Sequence, residues 1–209
     1  MASLGDPVTP GTLTKNMNEI ELVRQAQSGD IQAYSGLVDL YKERAIRVAY
    51  SLVGNLEDAK DLSQDAFVKA FDSLQSFKAD SRFYTWFYRI LSNTCKDFLR
   101  KKKVRGAILF WTPKEDEEAE APEARIRDKS KNASEALLND ELSSELYRAI
   151  EKLPFQQKSA FCLRYLDGMS LEEVAQSMEL SVGAVKAHIW QAVDKMKKNL
   201  GPYLQEGVM

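Results

Sequence analysis

The chain has 209 residues, 44% of them hydrophobic and 29% charged, with a formal net charge of −2. That is enough apolar material for one large core or two small ones, and it excludes a wholly disordered chain. Cys95 and Cys162 lie far apart and His188 is the lone histidine, which argues against a disulfide framework or a Cys/His zinc site and suits a reducing, cytoplasmic setting. No apolar run approaches the ~20 residues that span a bilayer, and the opening MASLGDPVTPGTLTKN lacks the apolar core of a signal peptide, so no membrane insertion is expected.

Gly and Pro are scarce and Leu, Ala, Glu and Lys plentiful, which predicts helices rather than strands. Residues 1–17 read as a flexible extension in which Met17 offers an alternative start. A short amphipathic segment, Glu19–Ser28, follows. Asp30 is placed to cap a helix carrying Ile31, Tyr34, Leu37, Val38, Tyr41, Ala45, Val48 and Leu52 at helical spacing, stopped by Gly54. Asn55 is placed to cap the next, with Ala59, Leu62, Ala66, Phe67, Ala70 and Leu74 inward. After a turn at Ser76–Ser81, a third long helix spans about 82–103. Together these make a helical domain over 18–105.

The stretch 106–135 breaks the pattern, with Pro113 and Pro122 around the run KEDEEAEA, and reads as a flexible acidic linker. Helical periodicity resumes with Leu138, Leu142, Leu146, Ile150 and Leu153. Pro154 suits a new helix start, and Ser170-Leu171-Glu172-Glu173 is a capping box. A last helix runs from about Ser181 to Asn199, giving a second domain over 136–200 and a tail, 201–209. The expected fold class is all-α: two small helical domains joined by the linker, the second containing a helix-turn-helix over 170–197.

Charge is unevenly distributed. From Ser81 to Arg105 eight Lys/Arg face Asp97 alone, a net +7; from Lys114 to Asp128 seven acids and three bases give −4; from Glu57 to Asp72 five acids and two lysines give −3. Such patches point to a protein that touches DNA locally and another partner elsewhere. In the third helix, FYTWFYRILSNTCKDFLRKKK, the residues Phe83, Trp86, Phe87, Ile90, Leu91, Thr94 and Phe98 form the buried stripe, and Trp86 reads as core. Arg82, Arg89, Asn93, Lys96 and Arg100 share the adjoining flank, with Tyr84 and Tyr88 outside the stripe on the other side. Cations, an amide and exposed aromatics suit single-stranded DNA; a basic solvated face also accounts for the charges.

The segment SLEEVAQSMELSVGAVKAHIWQAVDKMKKN carries the most specific signal. In its second helix Val182, Val185, Ile189, Ala192, Val193 and Met196 point inward. Gly183, Ala187 and Gln191 point out, flanked by Lys186 and Trp190, as a recognition helix requires, with Ser181 as its cap. Trp190 reads equally well as a packing residue or a base contact, and His188 as an exposed polar side chain. No glycine-rich phosphate loop, nucleophile–base pair or apolar carboxylate pair is visible, so no catalytic residue, metal or cofactor is expected.

These two motifs together resemble regions 2 and 4 of extracytoplasmic-function sigma factors, the RNA polymerase specificity subunits of group IV. The first match is EDAKDLSQDAFVKAFDSLQSFKADSRFYTWFYRILSNTCKDFLRKK and the second LPFQQKSAFCLRYLDGMSLEEVAQSMELSVGAVKAHIWQAVDKMKK. The resemblance implies a non-enzymatic initiation factor that binds core RNA polymerase, touching the β′ clamp helices and the β subunit, and promoter DNA. It implies control by an anti-sigma factor in a stress or envelope response. Asp58, Asp61, Leu62, Gln64 and Asp65 fall at the polymerase-contacting positions, with Asp65 where the family usually has Glu. Phe77, Lys78, Ala79, Asp80, Ser81 and Arg82, with Arg89, Asn93, Lys96 and Arg100, fall where the −10 element is captured and melted. Ser181, Gly183, Lys186, Ala187, Trp190 and Gln191 fall where the −35 element is read; Ala187 and Gln191 replace the more usual Ser and Arg.

Overall fold

Capping chemistry sets several of the helix boundaries. The computed structural model describes residues 10–109 and 145–206. Helix α1 spans Pro10–Gln27, α2 Ile31–Val53 and α3 Leu56–Ser73; a 3-10 turn, Leu74–Ser76, leads to α4, Phe83–Leu109. The Asp30 carboxylate accepts from the Gln32 and Ala33 N–H groups, and the Asn55 side chain from the Asp58 N–H. Each satisfies donors that a helix start leaves open. Gly54, at φ 77°, ends α2 in the left-handed conformation that glycine adopts at least cost.

The second half holds α5 (helical residues 145–151) and α6, Phe155–Phe161. A π-helical turn, Cys162–Leu166, follows, then α7, Leu171–Met178, and α8, Val182–Glu206. The capping box forms as expected: Ser170 Oγ accepts from the Glu173 N–H while the Glu173 carboxylate accepts from the Ser170 N–H. Among the described residues every regular element is helical, so the all-α expectation is met.

Three boundaries differ from expectation, one of them at the end of α8, which runs to Glu206 rather than about Asn199 and so enters the stretch 201–209 read as a tail. Helix α1 reaches back to Pro10, into the stretch 1–17 read as a flexible extension. Proline is tolerated in the first helical turn, and after Gly11 the segment TLTKNMNE contains no helix breaker. Helix α4 continues to Leu109, beyond the expected boundary at 105, because VRGAIL offers nothing stronger than one glycine to stop it. The rest of the expected linker, from 110 to 135, lies outside the described residues.

In the first domain, α2, α3 and α4 pack through Leu37, Ala45, Leu52, Ala66, Phe67, Phe83, Phe87 and Leu91, all buried. Phe67 and Phe87 stack at 4.2 Å between ring centroids. Each large apolar side chain so buried contributes about 1.5–3 kcal/mol. At α2 the periodicity marked Tyr34, Leu37, Tyr41, Ala45, Val48 and Leu52, all buried, but also Ile31, which stands exposed in the first turn. The core does not stop at the domain: Leu163, Met169, Val174, Ala175 and Val185 of the second half belong to the same apolar cluster as Tyr84, Phe87 and Tyr88. A smaller cluster of Ala149, Ile150, Leu153, Cys162, Ala192 and Met196 holds α5 to α8. Among the described residues no helix is long and apolar enough to cross a membrane, and no group of side chains has the composition of a metal site.

Candidate nucleic-acid interface

The acidic helix α3 presents Asp61, Gln64 and Asp65 outward, beside the exposed apolar side chains Val68 and Phe71. Leu62, one of the expected contact positions, faces the core instead at 6% exposure; its period places it with Ala59 and Ala66. Asp58 is half-buried and paired with Lys102 of α4 at 3.2 Å, so two of the five expected contact residues are engaged within the domain.

The loop after the 3-10 turn divides in two. Phe77 is buried, 5.0 Å from the Trp86 ring and 6.1 Å from that of Phe83. This corrects its reading as a residue available to DNA. Lys78, Ala79 and Asp80 are exposed, and Ala79 takes φ 56°, a left-handed conformation unusual for a residue with a Cβ. Trp86 packs against the core, as expected.

Helix α4 carries the largest correction. Tyr84 and Tyr88, read as exposed stacking platforms, are 6% and 0% exposed. The second half of the chain covers them. Tyr84 donates its hydroxyl proton to Glu173 of α7, and Tyr88 donates to Asp167 at 3.2 Å. Arg82 stands 3.5 Å from Glu173 and Arg89 2.9 Å from Glu179, while Ser177 donates to the Thr85 carbonyl at 2.9 Å. A helical wheel assigns faces within one domain and cannot register a cover supplied from ~90 residues away. Asn93, Lys96 and Arg100 remain exposed on the flank, Arg100 beside Asp97 at 3.3 Å.

Asp167 organises this closure. The π turn brings its N–H onto the Cys162 carbonyl, and Gly168 follows at φ 74°, so the chain turns back and the Asp167 side chain points inward at 2% exposure. Arg44 of α2 donates to it through Nε at 2.9 Å and Nη2 at 3.1 Å, and also to its backbone carbonyl at 2.8 Å. Burial pushes the Asp167 carboxyl above its ordinary range, against the opposing pull of Arg44, and pushes the Tyr88 hydroxyl well up. Nearby Lys158, buried on α6, donates to the Leu52 carbonyl at the end of α2 at 3.3 Å. Burial lowers its pKa, and a helix C-terminus is the place where an ammonium costs least.

On α8 the outward face is free of that closure. Ser181 caps the helix by accepting from the Ala184 N–H at 3.2 Å. Gly183, Lys186, Ala187, Trp190 and Gln191 are exposed, Trp190 at 71%. That settles the packing question for Trp190 in this arrangement: it projects outward. Gln191 accepts from Gln157 of α6 at 2.8 Å. His188 lies half-buried to the side, where an exposed polar residue was expected.

Residues 37–105 match the model of sigma-70 region 2 and residues 143–196 that of sigma-70 region 4. The chain belongs to the sigma-70 family. Over 93% of its length it is 34% identical to the RNA polymerase sigma-H factor of Pseudomonas aeruginosa, of which the alignment covers 99%. Over 92% it is 34% identical to the ECF RNA polymerase sigma-E factor of Escherichia coli K12, covering all of that protein. A solved structure of CnrH in complex with the cytosolic domain of CnrY aligns with a TM-score of 0.65 and 25% identity, covering 88% of this chain and 98% of that one. These likenesses place the chain among the extracytoplasmic-function sigma factors. Within that frame α2–α4 form region 2 and α5–α8 region 4, and region 4 lies across the Tyr84–Arg89 side of region 2.

Proposed function

We propose that this sigma factor binds core RNA polymerase through the exposed acidic face of α3, reads the −35 element with α8 and captures and melts the −10 element with the 78–82 loop and the Arg89–Arg100 flank. It works in the cytoplasm as a non-catalytic initiation factor for a stress or envelope response. The observation that carries this reading is the division of surfaces. Asp61, Gln64 and Asp65 are open on an acidic helix, Asn93 and Lys96 on a basic one, and Lys186, Ala187, Trp190 and Gln191 on a capped recognition helix. An acidic face repels phosphate and suits a protein; a basic flank with an amide suits melted DNA; small residues at a helix start admit close approach to a groove.

Energetics assign the polymerase an active part. Extruding a base costs a few kcal/mol and one stacking contact returns ~1–3 kcal/mol, so region 2 alone does not hold a melted promoter. Arg82 and Arg89 are moreover paired with Glu173 and Glu179 in the closed arrangement. Capturing the −10 strand with them requires region 4 to leave, and binding to polymerase provides the competing contacts. Control by an anti-sigma protein is part of the proposal, supported by the similarity to CnrH, which was solved with a partner's cytosolic domain. Run-off transcription with purified core polymerase over a genomic promoter panel tests the reading. Specific transcripts that depend on the added protein are expected, and the absence of both a specific transcript and core binding would overturn it.

A further inference from the structure

Helix α1 lies outside the region 2 match, which begins at residue 37, yet it holds both ends of the loop between Phe77 and Phe83. At one end Gln27, the last residue of α1, donates through its single carboxamide nitrogen to the Leu74 carbonyl at 3.0 Å and the Phe77 carbonyl at 2.8 Å. In return Gln75 donates to the Gln27 backbone carbonyl at 2.6 Å. Carbonyls at helix ends lack intrahelical partners; here the Gln27 and Phe77 carbonyls find theirs across the junction, and the Leu74 carbonyl, which also accepts from the Phe77 N–H, takes a second donor. At the other end Glu19, 5% exposed, accepts from the Phe83 N–H at 3.0 Å and from the Tyr41 hydroxyl. A buried carboxylate thus caps the first turn of α4.

Gln27 lies eight positions beyond Glu19 along the helix, a rise of about 12 Å. Between these fixed points the chain exposes Lys78, Ala79 and Asp80, with Ala79 held at φ 56°. A left-handed alanine persists only where its surroundings over-determine it, and the clasp at Gln27 with the cap at Glu19 does so from both sides.

We infer that Gln27 and Glu19 are positioning residues for single-stranded DNA capture, with α1 acting as a strut that presents the 78–82 loop in one conformation. The inference rests on the proposed role of that loop. Immobilising a loop in its binding conformation improves affinity by removing an ordering cost, so loosening it weakens capture without touching a DNA-contacting side chain.

The test uses holoenzyme assembled from core polymerase and the full chain, with a fluorescein-labelled non-template strand from the −10 segment of a promoter found by run-off transcription. Wild-type holoenzyme retains the strand. Gln27→Met keeps the side-chain length and loses both donors; with two hydrogen bonds gone, capture weakens by roughly tenfold. Gln27→Lys restores donors to the two carbonyls and recovers most of that loss, a rescue that a purely steric role does not give. Core binding and affinity for −35 duplex stay at wild-type level in both. The exposed Gln75→Leu removes the reciprocal bond alone, weakens capture by about threefold, and carries the test if Gln27→Met fails to fold. Capture at wild-type strength by Gln27→Met, or by Gln75→Leu in its place, would overturn the inference. Absence of capture by wild-type holoenzyme would overturn the loop's assigned role itself.

Discussion

Arg44 and Asp167 join the two regions across 123 residues of sequence, with the guanidinium on both the carboxylate and the backbone carbonyl of a residue whose side chain is 2% exposed. Two hydrogen bonds from one planar fork fix orientation as well as distance. The pair sits beside Tyr88, on the side of α4 that region 4 covers.

Removing one partner of such a pair costs about 3–5 kcal/mol while the other charge stays buried. In Arg44→Ala the Asp167 carboxylate retains the Tyr88 hydroxyl and the charge of Arg47 but loses its bidentate partner, and hydration of that carboxylate becomes the cheaper state. The regions are therefore expected to separate rather than unfold. Small-angle scattering should show a larger radius of gyration with helical content unchanged. A radius equal to that of the wild type would mean that the Arg44–Asp167 pair does not hold the closed form together.

Trp190 supplies the complementary case, a large apolar side chain outside any core. At 71% exposure its truncation is expected to change stability by less than about 0.5 kcal/mol. If α8 reads duplex DNA as proposed, Trp190→Ala lowers holoenzyme affinity for a −35 duplex several-fold, and Gln157→Ala, which frees Gln191, alters which base is preferred at one position. Thermal unfolding and anisotropy titrations on the same samples separate the two effects; a large loss of stability with intact binding would return Trp190 to a packing role.

The contrast between these sites marks what was legible. Asp30, Asn55 and the Ser170–Glu173 box announced their helices because capping is local chemistry. The inward stripe of α2 followed from spacing, apart from Ile31 at its first turn, which faces solvent. Tyr84 and Tyr88 were misread because their partners, Glu173 and Asp167, lie 89 and 79 residues away, and periodicity has no signature for a second domain. Leu62 shows the converse: its inward spacing was visible, yet the resemblance placed it on the polymerase surface, and the spacing prevailed. Glu19 and Gln27 act through single polar groups on distant backbone, which neither pattern nor propensity encodes.

Acid should loosen the closure through Glu173. Burial works to raise its pKa, but the Tyr84 hydroxyl, the Ser170 groups and the Arg82 charge outweigh it and hold the carboxyl below its ordinary range. A carboxyl lowered in the folded state contributes stability that is complete above the ordinary range and lost as pH falls through the folded value. Asp167 is shifted the other way, so its protonation on acidification favours the folded form and partly masks the effect. Glu173→Gln is thus expected to be less stable at neutral pH and to lose less stability below about pH 4.5 than the wild type. Melting temperatures across that range should converge; parallel curves would remove Glu173 from the account.

Glu179 combines two opposed roles in one residue. Its backbone sits at φ 55°, the turn between α7 and α8, where a side chain with a Cβ costs about 1–2 kcal/mol and asparagine considerably less. Its carboxylate, 63% exposed, pairs with Arg89 at 2.9 Å, an interaction worth roughly 0.2–1 kcal/mol at such exposure. Glu179→Asn keeps the left-handed turn at lower cost and abolishes the pair. The helix-turn-helix should therefore become more resistant to unfolding, seen as slower amide exchange in α7 and the start of α8, while Arg89 is released and the two regions part more readily, seen as a larger radius of gyration. The two readouts are expected to move in opposite senses. Faster exchange together with the larger radius would mean that the turn at Glu179 is held by the ion pair rather than strained in spite of it.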